Sequence, residues 1–319
     1  MRAIKQNVLE TVGQTPIVRL NRVAGQLRST IAAKLEYLNP GGSIKDRIGI
    51  TIIEEAEKRG ELKPGATIVE ATSGNTGMGL ALVAAVKGYR LIFVMPDKMS
   101  QEKIQNLRSF GAKVIVTPTE VAPDDPRSYY SVAKRIAEET PGAFYANQYH
   151  NPDNPLAHYR TTGPEIWEQT GGQIDAFVAG MGTGGTITGV SRYLKARKPE
   201  VTIVGVDPEG SVYKDYFERG VVVEPRPYLI EGIGEDFFPS TMDLGAVDRV
   251  IRVHDKESYL MARELLTSEG IYTGSSGGAA VVGAVRFARE HEAAGGRPLD
   301  IVVILPDSGA RYLSKLYND

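Results

Sequence analysis

The chain has 319 residues, enough for two domains with a substantial hydrophobic core. Its 37 lysine and arginine residues nearly balance its 39 aspartate and glutamate residues, and the net charge of -2 gives no reason to expect nucleic acid or an anionic membrane surface as a partner. The absence of cysteine excludes disulfides, thiolate metal sites and a cysteine nucleophile. The four histidines lack ligand-like spacing, so we expect no metal.

The N-terminal segment, residues 1–7, lacks the apolar run of a secretory signal peptide. No stretch of the sequence is long enough and apolar enough to span a bilayer. Together these two observations predict a cytoplasmic protein with no membrane partner.

Short apolar runs alternate with helical patterns along the chain. A first series has strands over residues 67–69, 91–95 and 113–116, and helices over residues 44–58, 77–87, 101–110 and 128–139. A second series has strands over residues 174–179, 201–206 and 300–305, and helices over residues 186–198, 256–269 and 277–290. This alternation indicates parallel sheets covered on both faces. We predict an α/β fold of two doubly wound units, with a ligand cleft between them beyond the carboxyl ends of the strands.

Lys45 follows a turn of sequence NPGG and lies at the start of the first predicted helix. An amine at a helix start lies beside the positive end of the helix dipole, which disfavours its protonated form. A neutral lysine amine is what a Schiff base with an aldehyde cofactor requires. The segment is also a good ordinary turn, so this hypothesis depends on the other motifs.

A loop of sequence EATSGNTG, residues 70–77, follows a predicted strand and leads into an alanine-rich helix. Its hydroxyls, its amide and the backbone N–H groups of the helix start form a site for a carboxylate-sized anion. A plain N-cap with a tight turn is the alternative, but a cap needs only one serine or threonine.

A second loop, of sequence GMGTGGT over residues 180–186, lets backbone N–H groups close on a phosphate at a helix N-terminus. Gly180, Gly182 and Gly185 also satisfy the dinucleotide pattern G-x-G-x-x-G, with Asp207 about twenty residues further on. Taken alone, this pattern favours a nicotinamide enzyme, but it leaves Lys45 without a role. A glycine loop required only for packing is a further alternative.

A third cluster, residues 272–279, opens the last predicted helix, where a serine is most often only a cap. In order and spacing, the lysine segment 40–47, the loop 72–77, the glycine loop 182–186 and the serine segment 274–277 resemble the fold-type II (tryptophan synthase β-like) pyridoxal-phosphate enzymes. The similarity covers nearly the whole chain and is strongest to cysteine synthases and cystathionine β-synthases. Segments more similar to bacterial cystathionine β-synthases are residues 147–149, 154–159, 206–211, 231–237 and 305–308.

The resemblance implies two domains with the cofactor cleft between them. The larger, cofactor-binding domain would comprise residues 1–40 and 150–319, and the smaller, mobile domain residues 41–149. Because the chain stops at Asp319, the resemblance implies no C-terminal regulatory domain. It further implies no haem-binding extension, and it implies a homodimer.

Position by position, the resemblance implies that Lys45 is the catalytic residue and holds pyridoxal 5′-phosphate covalently. Asn75 would contact the ring hydroxyl oxygen, and Ser275 the ring nitrogen. A serine hydroxyl, unlike a carboxylate, does not keep the ring protonated, which favours β-elimination over transamination. The residues implied for the phosphate are Gly182, Thr183, Gly184, Gly185 and Thr186. Those implied for the substrate are Thr72, Ser73, Thr76, Gln148 and Tyr149.

The implied reaction is a β-replacement that condenses L-serine with L-homocysteine to L-cystathionine. The alternative is a cysteine synthase that uses O-acetylserine and sulfide, and an NAD-dependent oxidoreductase is a distant alternative. A non-catalytic protein with this fold would not need Lys45. Polar residues in the segments similar to cystathionine β-synthases are candidates for distinguishing homocysteine from sulfide: Tyr149, Glu235, Asp236 and Asp307.

Overall fold

The computed structural model describes residues 4–121 and 125–318. Residues 1–3, part of the segment searched for a signal peptide, and Asp319, where the chain stops, lie outside the described residues. Within the described part of the chain, no helix has the length and apolar character needed to cross a membrane.

The described residues contain ten strands in two sheets. The strands are β1 (Ile17–Arg19), β2 (Thr30–Leu35), β3 (Thr67–Ala71), β4 (Arg90–Pro96), β5 (Lys113–Thr117), β6 (Phe144–Tyr145), β7 (Ala176–Gly180), β8 (Thr202–Pro208), β9 (Arg249–Val253) and β10 (Asp300–Leu305). A six-stranded sheet has the order β1-β2-β10-β7-β8-β9, and a four-stranded sheet has the order β5-β4-β3-β6. Apart from the antiparallel pair β1–β2, the paired strands in these sheets are parallel.

Ten α-helices lie between these strands in the described part of the chain. They are α1 (Lys45–Arg59), α2 (Asn75–Lys87), α3 (Gln101–Ser109), α4 (Tyr129–Glu139), α5 (Asp153–Arg160), α6 (Thr162–Gln169), α7 (Gly185–Lys195), α8 (Tyr213–Arg219), α9 (Asp255–Glu264) and α10 (Ser275–Ala293). The predicted helix over 256–269 is α-helical only to Glu264, because a π-helical turn, Leu265–Glu269, replaces its last part.

Each sheet has a hydrophobic core on both faces, which confirms the predicted α/β fold with doubly wound parallel sheets. On the four-stranded sheet, α1, α2 and α3 cover one face, and α4 covers the other through Val132 and Ala133. On the six-stranded sheet, α10 packs against one face, and α7 packs against the other through Ile187 and Val190. The four-stranded sheet is built from strands between residues 67 and 145. The domain boundaries at residues 40/41 and 149/150 stay a prediction.

The first turn of α1 packs directly against the backbone of α2. A Cβ atom added to Gly49 would lie 2.6 Å from the carbonyl carbon of Gly79, and one added to Gly79 would lie 2.5 Å from the carbonyl oxygen of Lys45. Glycine at both positions therefore lets the two helix backbones approach closely. This close approach holds the start of α1 against α2.

A buried ion-pair network anchors the same end of α1 to elements of the six-stranded sheet. Arg47 donates to both carboxyl oxygens of Glu165 in α6 at 2.7 Å, and to Glu36, which follows β2, at 2.7 Å. Lys34 in β2 lies 2.9 Å from Glu165. Removing one partner from such a buried pair costs about 3–5 kcal/mol, because the other charge is left uncompensated. The network therefore fixes where Lys45 lies relative to both sheets.

Candidate active site

The four predicted motifs each place a residue at the first position of a helix. Lys45 begins α1, Asn75 begins α2, Gly185 begins α7 and Ser275 begins α10. The first N–H groups of a helix have no partner within the helix, and the dipole there favours negative charge. Ser275 thus lies inside its helix, and the cap position belongs to Gly274 instead.

The side chain of Lys45 joins the first helix start to the glycine loop. Its Nζ donates to the Thr183 hydroxyl at 3.3 Å, and Asn154 donates to the same oxygen at 3.1 Å. Burial lowers the pKa of Lys45 to about 8, against an opposing influence of the Glu235 and Glu70 carboxyls. The sequence predicted a less protonated amine from the helix dipole, whereas loss of water around the amine is the largest cause in the structure.

The glycine loop packs so tightly that side chains have no room at several positions. Gly184 has a φ of +85°, and a Cβ atom there would lie 2.4 Å from the Cα atom of Met242. A Cβ atom on Gly185 would lie 1.8 Å from Asn154 Oδ1, and one on Gly182 would lie 2.9 Å from the Gly232 carbonyl oxygen. The loop therefore offers backbone N–H groups at the start of α7, together with threonine hydroxyls. Such a donor set suits a phosphate.

The loop before α2 is closed by its own hydroxyl groups. Thr72 Oγ1 accepts from the N–H groups of Gly74 at 3.0 Å and Gly77 at 3.2 Å. Thr76 donates to Gln148 Oε1 at 2.6 Å, so the structure brings the predicted substrate residues Thr72, Thr76 and Gln148 together. Ser73 lies half-buried in the same turn.

Tyr149, the fifth predicted substrate residue, belongs to an aromatic cluster beside this loop. Its hydroxyl lies 3.3 Å from that of Tyr129, and its ring lies 5.2 Å from the ring of Tyr130 and 5.3 Å from that of Phe237. Burial raises the pKa of Tyr149 well above its usual value. The hydroxyl therefore stays protonated at neutral pH and is available as a hydrogen-bond donor.

Asn75 and Ser275 are each held by a residue distant in sequence. Asn75 Nδ2 donates to Asp307 at 2.8 Å, and the Ser275 hydroxyl accepts from the N–H of Glu231 at 3.1 Å. The Glu231 carboxylate in turn lies 2.5 Å from the amine of Lys103. The same Lys103 amine lies 4.5 Å from the centre of the Tyr312 ring, and Tyr312 donates to Asp307, so both predicted cofactor contacts lie within one connected group of residues.

The structure brings Glu70 and Arg311 to the site, two groups that had no predicted role, together with Glu235, which was predicted only as a candidate for distinguishing homocysteine from sulfide. Glu70 is fully buried at the end of β3, and burial raises its pKa to about 8. Burial likewise raises the pKa of Glu235 to about 8, and Asp236 beside it acts in the same direction. For Glu70, the sequence did offer a signal, because a glutamate directly follows the predicted strand over residues 67–69. Arg311, which donates to Asn75, has no such signal in the sequence.

Asp207, the acidic residue of the dinucleotide pattern, is buried and hydrogen-bonded to the helix that follows it. It is fully buried at the end of β8, and its Oδ2 accepts from the backbone N–H of Lys214 in α8 at 2.9 Å. Burial raises its pKa to about 6. A carboxyl group occupied in this way is poorly placed to bind a ribose hydroxyl, which weakens the nicotinamide alternative.

A family model for the pyridoxal-phosphate dependent enzymes matches residues 8–307, so the chain belongs to this family. It is 47% identical over 318 residues to the cystathionine beta-synthase of Dictyostelium discoideum, with 100% of this chain and 63% of that protein covered. It is 48% identical to the cystathionine beta-synthase of Oryctolagus cuniculus, with 99% of this chain and 57% of that protein covered. The chain thus spans about three fifths of the length of these relatives.

Two solved structures share the fold over almost their whole length. The crystal structure of O-ureido-L-serine synthase matches with a TM-score of 0.89 at 37% identity, covering 98% of this chain and 95% of that chain. A hydrogen sulfide-producing enzyme from Fusobacterium nucleatum matches with a TM-score of 0.89 at 36% identity, covering 97% of this chain and 100% of that chain. These findings confirm the predicted resemblance, and the family implies pyridoxal phosphate as the cofactor.

The residues present fit this cofactor. The site combines a half-buried lysine amine, whose lowered pKa suits addition to an aldehyde, with a loop of N–H and O–H donors for a phosphate. Both lie at the same place, because Lys45 contacts Thr183 directly. In the described ranges, no group of three or more histidine, aspartate or glutamate side chains is arranged to hold a metal ion.

Proposed function

We propose that the protein is a β-replacement enzyme that condenses L-serine with L-homocysteine to L-cystathionine. The observation that carries the proposal is the contact of 3.3 Å between the Lys45 amine and Thr183 of the glycine loop. It unites the two parts that this chemistry requires, a nucleophilic amine and a phosphate site. The identity of 47% to a cystathionine beta-synthase supports the choice of substrates.

When bound, pyridoxal phosphate supplies an aldehyde that joins an amine and a ring that delocalises negative charge from the substrate α-carbon. Lys45 would hold it covalently, Gly182 to Thr186 would bind its phosphate, and Asn75 and Ser275 would contact its ring. Thr72, Ser73, Thr76 and Gln148 would bind the substrate carboxylate, with Tyr149 beside them.

Lys45 then has a second task as base and acid. Burial places its pKa at about 8, so an appreciable fraction of the amine is neutral at neutral pH and can accept the α-proton of serine. The proton held on Lys45 can pass to the β-hydroxyl, which leaves as water. The homocysteine thiol then gives its proton to Lys45 as the sulfur forms the new carbon–sulfur bond, and Lys45 returns that proton to the α-carbon. One amine thus serves each proton transfer.

We further propose the domain division predicted from the sequence, with residues 41–149 as the smaller mobile domain, and a homodimeric, cytoplasmic protein. The four-stranded sheet, which lies wholly within residues 67–145, supports the division. Limited proteolysis and sedimentation analysis of the purified holoenzyme would test the domain boundaries and the oligomeric state.

Steady-state kinetics with serine and O-acetylserine, each crossed against homocysteine and sulfide, tests the proposed reaction. We expect cystathionine formation from serine and homocysteine to have the highest kcat/KM of the four combinations. A much faster formation of cysteine from O-acetylserine and sulfide would contradict the choice of substrates. The protein would then be a cysteine synthase with the same cofactor chemistry.

β-Replacement with a different nucleophile is the second candidate function. The observation that favours it is the TM-score of 0.89 to the O-ureido-L-serine synthase and to the hydrogen sulfide-producing enzyme. The same kinetic experiment, extended to hydroxyurea as the nucleophile and to sulfide release from cysteine, separates it from the first candidate.

Replacing Asp236 by alanine is expected to lower kcat/KM for homocysteine about ten- to a hundredfold and to leave the use of sulfide nearly unchanged. Homocysteine brings an ammonium group, and Asp236 is an exposed acid beside Glu235, whose carboxyl influences Lys45. The loss of one charge-assisted hydrogen bond accounts for a change of this size. Kinetics with both nucleophiles measures it.

The matched variant is Asp236→Asn, which keeps the size of the side chain and removes its charge. It should resemble the alanine variant if the charge is what recognises homocysteine. An equal loss with sulfide and homocysteine in both variants would show that Asp236 supports the fold or the cofactor site and has no part in the choice of nucleophile.

A further inference from the structure

We propose that Arg311 and Asp307 fix the side-chain amide of Asn75 in one orientation, so that Asn75 can only donate a hydrogen bond to the cofactor ring. The inference rests on the proposed function, because it deepens the role of Asn75 in that site. Arg311 and Asp307 are positioning residues in this proposal, since they act through Asn75.

Both ends of the Asn75 amide have a partner. The Arg311 guanidinium donates to Asn75 Oδ1, and Asn75 Nδ2 donates to Asp307 Oδ2 at 2.8 Å. An amide can in principle be turned by 180°, which exchanges its donor and its acceptor. A guanidinium has no acceptor, so its partner must be the amide oxygen. The orientation is therefore determined, and one N–H of Nδ2 remains for a further acceptor.

Arg311 is itself held by the turn that precedes Lys45. Its second terminal nitrogen donates to the carbonyl oxygen of Gly41. Gly42 has a φ of +76°, and a Cβ atom there would lie 2.9 Å from this nitrogen. The turn thus takes its shape around the guanidinium, and the same side chain contacts the loop before the lysine and the start of α2.

Asp307 cannot turn away from Asn75 either. Its side chain is buried, with 1% exposed, and Tyr312 donates to the same Oδ2 at 2.5 Å. Close approach of Gly274 restricts the other oxygen, because a Cβ atom on that glycine would lie 2.3 Å from Oδ1. Asp307 follows β10 and Asn75 follows β3, so the contact joins the ends of strands from the two sheets.

The residues around Asp307 also contact the lysine segment and the serine segment of the site. Isolated backbone bridges join Ser43 to Asp307 and Thr273 to Ser308. Ser43 lies two residues before Lys45, and Thr273 lies two residues before Ser275. A donor from Asn75 would stabilise the deprotonated form of the ring hydroxyl. We therefore expect the contact between Arg311 and Asn75 to influence the absorption of the bound cofactor.

The experiment compares Arg311→Met, Asn75→Ala and the double variant as purified holoenzymes. The readouts are the ratio of visible to near-ultraviolet cofactor absorbance at fixed pH, and the cofactor dissociation constant from titration of the apoprotein. We expect Arg311→Met to weaken cofactor binding about tenfold and to lower the absorbance ratio severalfold, the size expected for one hydrogen bond. In the Asn75→Ala background it should change the absorbance ratio no further.

Each other outcome contradicts a defined statement. If Arg311→Met lowers the ratio equally with and without Asn75, or leaves it unchanged while Asn75→Ala lowers it, the positioning role is wrong and the proposed function stands. If Asn75→Ala itself leaves both readouts unchanged, the proposed role of Asn75 is wrong, and the positioning role is wrong with it. Arg311→Lys, which keeps the charge and a donor, should recover part of the ratio, and it replaces the methionine variant if that variant does not fold.

Discussion

Replacing Lys45 by alanine is expected to abolish the visible absorption of the purified protein and to reduce turnover on the order of 10³-fold or more. The wild-type protein should be yellow, and borohydride should bleach it while trapping a covalent adduct on Lys45. The expected loss is large because one amine is anchor, base and acid in the proposed reaction. Spectroscopy, mass spectrometry of the trapped peptide and steady-state kinetics measure the three effects.

Lys58→Ala is the matched control, because Lys58 lies at the other end of the same helix, has 64% of its side chain exposed and pairs with Glu55. It should keep the colour and the activity. Full activity of the alanine variant at Lys45 would overturn the cofactor assignment. So would a colourless wild-type enzyme that requires NAD, and the dinucleotide pattern in the glycine loop would then become the better explanation.

Six of the ten strands in the described part of the chain could be predicted from the sequence, and β1, β2, β6 and β9 were missed. Continuous apolar runs identified β3, β4, β5, β7, β8 and β10, because strands covered on both faces must be apolar throughout. β9 was missed because arginine at 249 and 252 interrupts its apolar residues. α5 was missed because it contains Pro155, although a proline in the first turn leaves the hydrogen bonds of a helix intact.

The loops of the candidate site could be predicted because their chemistry is local. Glycine and hydroxyl residues at a helix start form an anion site with little help from the rest of the chain. Contacts between distant residues could not be predicted. Arg311 reaches Asn75 across 236 positions of the sequence, and Asn75 in turn reaches Asp307 across 232 positions. Such contacts depend on how the two sheets are arranged, which no local pattern encodes.

Replacing Gly184 by aspartate is expected to abolish retention of the cofactor. The proposed phosphate site would then contain a carboxylate beside a phosphate, and like charges about 4–8 Å apart repel by roughly 2–4 kcal/mol at an effective dielectric constant of ~20. Gly184 also has a φ of +85° and close contact with the backbone at Met242, so any side chain disturbs the loop. Aspartate alone therefore cannot separate charge from shape.

Gly184→Asn separates these two effects, because asparagine has the shape of aspartate and both tolerate a positive φ better than other side chains do. We expect asparagine to weaken cofactor binding through its size, and aspartate to weaken it on the order of a hundredfold further. The additional loss should change little as salt is added, since Gly184 is buried and salt screens buried charges much less than exposed ones. Titration of the two apoproteins with the cofactor, at two ionic strengths, measures the effect of side-chain size and the effect of charge. Equal dissociation constants for the two variants would mean that the phosphate is bound elsewhere, whatever the role of Lys45.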